Sequence, residues 1–209
     1  MYLYKTAYEY GEAEYVIEKS RFIAHVQPVE SYEEAQAFVN KIKQEYKAAT
    51  HNVPAIVFGN KQEMQWASDD GEPSGTSGLP MLKMIADMGL TNIAVVVTRY
   101  FGGIKLGTGG LARAYTQAAK MGIEAAGICE ARPGCVFNYT IDYSFFQKLQ
   151  NLEKEGNFEI GRTEYTDKIK VELSCSSEYS DELESMMKEL TAGQAALNSK
   201  ENCLNRYKI

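Results

Sequence analysis

The stretch Ile93–Gly127, IAVVVTRYFGGIKLGTGGLARAYTQAAKMGIEAAG, leaves few folds open to this chain. Ile93, Ala94, Val95, Val96 and Val97 form a continuous apolar run, the pattern of a short strand buried on both faces. Gly102, Gly103, Gly107, Gly109 and Gly110 then fall within nine residues. Leu111, Ala114, Tyr115, Ala118 and Met121 recur at helical spacing, and Gly122 and Gly127 offer ends. The unit is therefore a buried strand, a glycine-rich loop and a helix. Glycine lets backbone N–H groups approach a ligand, and a helix start offers unpaired donors with a partial positive charge. The alternative is a tight connection in which small residues let the helix lie close to the sheet, since glycine punctuates any loop.

Two nucleotide motifs are excluded. Gly102 and Gly107 have Walker A spacing, but Thr108 and Gly109 stand where Lys and Ser/Thr are required. Gly107, Gly109 and Ala112 fit a relaxed dinucleotide fingerprint, yet that motif follows its strand almost directly, and here Arg99, Tyr100, Phe101 and several more residues intervene.

The string VVVTRYFGGIKLGTGGLARAY resembles the signature of the IMPACT family, in its bacterial YigZ/YvyE-type branch. SDDGEPSGTSGLP, Ser68 to Pro80, is a second match, and KSRFIAHV, Lys19 to Val26, a third. The sequence departs from that pattern at ATHNVPAIVFG, where Val53 and Pro54 replace an expected Cys and an aromatic residue, so no role for a cysteine there carries over. The resemblance implies an α/β (α+β) protein of two domains, about 1–132 and 135–209. The first would share the fold of a ribosomal small-subunit protein, the GHMP sugar kinases and domain IV of elongation factor G. The second would resemble domain V of that factor.

Composition bounds the function classes. At 209 residues the chain can bury a good core. The net charge of −6 excludes coating duplex DNA by bulk attraction, though not a local basic patch. Through Gly134 there are 13 basic and 15 acidic residues, leaving 9 and 13 beyond, so the N-terminal part is the better anion binder. No apolar run approaches the roughly 20 residues of a membrane span. The start, MYLYKTAYEYGEAEY, lacks the basic and apolar regions of a signal peptide. Cys129, Cys135, Cys175 and Cys203 form no C-x-x-C pair, so neither zinc nor a disulfide framework is indicated. A cytoplasmic location, no metal and no cofactor are expected.

Residues 1–30 read as strands, with a hairpin turn near Lys19–Ser20. Ser31 caps a helix with Glu34 as its capping-box acid, and Tyr32, Ala35, Phe38, Val39, Ile42 and Tyr46 form the apolar face. Val53–Phe58 and Met64–Ser68 make a second strand pair, with Trp66 expected to anchor the core. Asp69–Gly78 is irregular, and Pro80 opens a short helix, Met81 to Met88. Arg132–Pro133–Gly134 reads as a linker. Strand 136–142, helix 144–155, strands 158–165 and 169–175, helix 180–190 and strand 196–207 follow, the ferredoxin-like βαββαβ order.

Asp69, Asp70 and Glu72 could bind a hard cation or supply a general base, but Asp–Gly is an ordinary turn pair and the solvated-turn reading is preferred. Ser74, Thr76 and Ser77 invite a nucleophile reading, yet no G-x-S-x-G elbow is present. His25 reads as structural. His51, placed in a loop between helix and strand, is the better candidate base. Arg99, Lys105 and Arg113 flank the glycine loop and suit an anion, and Tyr100 and Phe101 could stack on a base. The acidic loop, with Ser74, Gly75 and Thr76, is expected beside the Arg99–Gly110 loop, Arg99 pairing with Asp69 or Asp70. Thr108 would cap the helix, the N–H groups of Gly109, Gly110 and Leu111 would meet the anion, and Lys105 and Arg113 would supply charge.

The resemblance implies a translation-linked regulatory protein, since eukaryotic members restrain activation of a kinase that phosphorylates an initiation factor. Those members carry an RWD domain not found in this sequence, so the partner is not carried over. RNA, the ribosome or a translation-related protein is the expected partner. The alternative is an enzyme acting on a phosphorylated small molecule or nucleotide at the glycine-rich loops.

Overall fold

The computed structural model describes residues 2–209. The chain divides into two compact units: Leu3–Glu130 with Tyr207–Ile209, and a second built on Ala131–Arg206. Both are mixed α/β, each around its own antiparallel sheet.

In the first unit, β1 (Tyr4–Ala7) precedes a five-stranded sheet made of β2 (Gly11–Ile17), β3 (Ser20–Pro28), β4 (His51–Phe58), β5 (Met64–Ala67) and β6 (Ile93–Tyr100), in the order β2-β3-β6-β4-β5. The apolar run is the central strand, as its composition requires. Strand side chains alternate between faces, and β6 is apolar on both. Ile93, Val95 and Val97 pack with α2 (Gly78–Asp87) and α3 (Gly107–Ala126), whereas Ala94 and Val96 pack with Phe38, Val39 and Ile42 of α1 (Tyr32–Glu45). Each Val or Ile among them contributes about 1.5–3 kcal/mol when fully buried. The same period of two carries Arg99 onto the α2/α3 face.

Local signals place the connections with small shifts. The β2–β3 turn is Glu18–Lys19, both at positive φ (47° and 61°), with Ile17 paired to Ser20. That is the two-residue turn whose twist suits a hairpin. Ser31 Oγ accepts from the Glu34 N–H at 3.0 Å, but the Glu34 carboxylate takes the N–H of Glu30 rather than of Ser31. α2 begins at Gly78, two residues before Pro80, which still sits in the first turn where its missing N–H costs nothing. Trp66 does not anchor the core. It lies on β5, the short edge strand, and is 41% exposed, because an edge residue has a strand neighbour on one side only.

In the second unit, β7 (Ile128–Ile141), α4 (Tyr143–Glu153), β8 (Phe158–Tyr165), β9 (Ile169–Ser176), α5 (Ser180–Leu190) and β10 (Ala196–Lys208) follow in the expected order. Their order is β10-β7-β9-β8, the ferredoxin-like arrangement, and β1 joins the same sheet as a fifth strand by pairing with β7. Alternation in β7 and β9 turns Phe137, Tyr139, Ile141, Ile169, Val171 and Leu173 toward Leu149, Leu183 and Met187 of the two helices. Arg132, Pro133 and Gly134 lie inside β7 and are not a linker. The ladder to β9 starts only at Gly134, so Pro133 spends no ladder hydrogen bond there. None of the four cysteines forms a disulfide.

Candidate functional site

The two glycine-rich loops meet through one buried pair. Arg99, delivered by β6 to the α2/α3 face, holds Glu72 Oε1 at 2.6 Å, and the Tyr115 hydroxyl of α3 donates to the same oxygen at 2.7 Å. The Arg99 and Glu72 side chains are only 6% and 4% exposed. The guanidinium carbon lies 5.3 Å from the centroid of Phe22 and 5.4 Å from that of Phe101. Burial pushes the Tyr115 phenol well above its usual value, and its bond to Glu72 adds to that. Arg99 Nε is buried without a hydrogen-bond partner. Arg99 thus pairs with Glu72, not with Asp69 or Asp70, and Glu72 is not part of a solvated turn.

The three carboxylates of the acidic loop point to three different places. Asp70 meets Lys43 Nζ at 2.6 Å and accepts the Asn52 N–H at 2.7 Å. Asp69 accepts from the N–H groups of Gly75, Ser77 and Gly78 and from Ser77 Oγ, at 2.6 to 3.1 Å. It thereby closes its own loop and satisfies the first turn of α2. Among the described residues no three His, Cys, Asp or Glu side chains gather as metal ligands.

Burial alone would raise the Asp69 carboxyl, but donors from Ser77, Gly75 and Gly78 outweigh it and hold the group below its ordinary 3.8. A depressed carboxyl contributes stability that is whole above about pH 4 and lost as pH falls through the folded value. Asp69→Asn should therefore flatten the acid limb of the urea midpoint against pH. Asp69→Ala should cost about 1–2 kcal/mol at neutral pH, as for other lost caps.

His51 opens β4 rather than lying in a loop. Its Nδ1 faces the Asp70 carbonyl oxygen at 2.8 Å, which assigns the ring proton to Nδ1, and Nε2 stands 3.8 Å from Glu72 Oε2. Ser77 Oγ is committed to Asp69, Thr76 Oγ1 donates to the Pro73 carbonyl at 2.6 Å, and Ser74 is exposed. No hydroxyl is paired with His51 among the described residues.

The glycine loop is held at its start and open at its end. The Phe101 N–H reaches Thr50 Oγ1 and the Gly102 N–H reaches Ser20 Oγ, at 3.0 and 3.1 Å. Tyr100 lies under the Arg21 guanidinium, 5.7 Å from its ring centroid. Gly103 and Gly107 take positive φ, 85° and 71°. α3 begins at Gly107 with Leu106 at its N-cap and no side-chain cap, so Thr108 is not the cap. The N–H groups without a helical carbonyl are then those of Gly107, Thr108 and Gly109, two residues earlier than expected. Gly107, Thr108 and Gly109 are exposed, as are Lys105 and Arg113. Lys105 and Arg113 line a groove of about 780 Å³ between α3 and the β2–β3 hairpin, floored by Tyr15, Ile17 and Leu106. Arg99 is not among its lining residues, so the sequence's single anion site separates into a buried strut and an exposed basic groove. Lys43 and Tyr115, which complete the strut, carry no site signal in the sequence. Tyr115 carries only the helical core period, and nothing local ties Lys43 to Asp70.

A two-sheet α/β protein with a braced pair of glycine-rich loops is the class these observations define. Residues 18–123 match the Impact N-terminal domain, and residues 140–194 match a Domain of unknown function (DUF1949). IMPACT family member YvyE of Bacillus subtilis (strain 168) is 40% identical over 201 residues, covering 96% of this chain and 93% of the relative. IMPACT family member YigZ of Escherichia coli (strain K12) is 46% identical over 101 residues, 47% of this chain and 50% of the relative. A crystal structure of a hypothetical protein superposes with a TM-score of 0.60 at 27% identity, covering 99% of this chain and 97% of that one. This chain belongs to the IMPACT family.

Proposed function

We propose that the protein is a cytoplasmic, translation-linked regulatory module that works by holding an anionic macromolecule at the start of α3. RNA, the ribosome or an acidic translation-related protein would fill that role. The observation that carries the reading is the uncapped, exposed opening of a 20-residue helix with Lys105 and Arg113 beside it. Unspent N–H donors at the positive end of a helix favour an anion, and the two cations add reach. Family membership supports the link to translation. Among the described residues no helix is long and apolar enough to cross a membrane.

The geometry offers less to an enzyme. Glu72 is committed to Arg99 and Tyr115, and the Ser77 hydroxyl to Asp69, so neither serves as a free base or nucleophile at the glycine-rich loops. Sedimentation with ribosomes, run beside a thermal-shift screen of nucleotides, separates the readings. Co-sedimentation with no nucleotide shift is expected. A clear shift with one nucleotide and no co-sedimentation would overturn the binding module in favour of the enzyme.

A further inference from the structure

β2 is the outermost strand of its sheet, and among the described residues no other strand pairs with its outer side. Ile17 and Ser20 close the two-residue turn, so odd-numbered residues of β2 exchange hydrogen bonds with β3. The backbone N–H and C=O groups of Glu12, Glu14 and Val16 therefore point away from the sheet. Such an edge is a template for another extended chain unless charge, proline or a covering element blocks it. β2 has no proline, and it runs for seven residues.

The groove beside it gives that template a chemical preference. Tyr15 and Ile17 turn toward α3 and form its floor with Leu106, and Lys105 and Arg113 supply two positive charges. Glu18, at the turn end, is the acidic residue among those lining it. On the opposite face of β2 stand Glu12 and Glu14, the latter paired with Arg21 at 2.9 Å. An added strand would thus meet positive charge on one face and negative charge on the other.

We propose that this edge and groove take an extended acidic segment of a partner protein as a further strand beside β2. Its groove-facing side chains would be carboxylates opposite Lys105 and Arg113, and the alternate ones neutral or basic. This rests on the reading of the α3 start as an anion site and names its partner. A peptide is favoured over RNA because only a peptide backbone matches the row of outward donors and acceptors, giving main-chain affinity with side-chain specificity. The apolar floor takes the aliphatic stems of the acidic residues.

The test uses three labelled probes of about eight residues or nucleotides, long enough to span the strand. They are a peptide alternating Glu and Val, its Lys and Val counterpart, and a single-stranded RNA. Binding is read by fluorescence anisotropy on the full chain. The Glu/Val peptide is expected to bind best. Lys105→Ala with Arg113→Ala, and separately Val16→Pro, should each weaken it about tenfold, the first by lost charge and the second by a lost outward N–H. Circular dichroism checks that Val16→Pro keeps its fold. Hydrogen exchange of the Glu12, Glu14 and Val16 amides should slow when the peptide binds. RNA binding that needs Lys105 and Arg113, with no peptide binding, would overturn the peptide and leave the anion site standing. No binding by any probe would overturn both. Peptide binding without amide protection and indifferent to Val16→Pro would overturn strand addition.

Discussion

Replacing Arg99 with Ala is expected to lower the unfolding free energy by about 3–5 kcal/mol, the cost of leaving one partner of a buried pair alone. Glu72 would keep the Tyr115 hydroxyl at 2.7 Å and face His51 at 3.8 Å, too few donors for a carboxylate only 4% exposed. The rings of Phe22 and Phe101 would lose the guanidinium beside them. Urea unfolding measures the loss, and a second substitution identifies its source. With Glu72→Gln added, the charge that needed Arg99 is gone, so the double variant should lose clearly less than the two single losses summed. Strict additivity would mean that Arg99 acts through the aromatic rings alone.

Gly102→Ala is expected to cost about 3 kcal/mol, at the upper end of overpacking, whereas Gly109→Ala should be neutral or stabilising by up to about 1 kcal/mol. A Cβ on Gly102 would lie 2.0 Å from the carbonyl carbon of Lys19 and 2.4 Å from the Ser20 nitrogen, so the backbone of the β2–β3 turn has to move. A Cβ on Gly109 meets nothing nearer than Arg113 Nη1 at 3.8 Å, and the residue sits in the first turn of α3, where Ala outranks Gly. Thermal denaturation of the two variants separates them. Equal losses would show that the loop's glycines share one role.

The same contrast explains what could be read in advance. Alternation and helical period are local, so β6 as a two-faced central strand, the apolar face of α1 and the βαββαβ order of the second unit were all legible. Gly122 fits the expectation that small residues bring α3 close to the sheet, since a Cβ there would lie 2.8 Å from Ala24 Cβ. Long-range pairing is not local. Whether Arg99 met Asp69, Asp70 or Glu72 depended on how the acidic loop turned, and Asp70 at φ 48° with Gly71 at 89° sends the carboxylates in different directions. Trp66 departs from its expected place in the core because composition tells how apolar a strand is and not whether it ends the sheet. The start of α3 lies two residues before the expected one because Leu106, a poor cap by type, occupies the N-cap in place of Thr108.

If the exposed start of α3 holds an anionic partner, ribosome binding depends on salt and on Lys105 and Arg113, which co-sedimentation across a salt series measures. The wild-type chain should bind with affinity that falls steeply as salt rises. Lys105→Ala with Arg113→Ala should lose about tenfold in affinity and part of that salt dependence, with the thermal midpoint nearly unchanged because both side chains are exposed. Unchanged affinity together with an unchanged salt slope in the double variant would mean that no anionic partner sits at the start of α3.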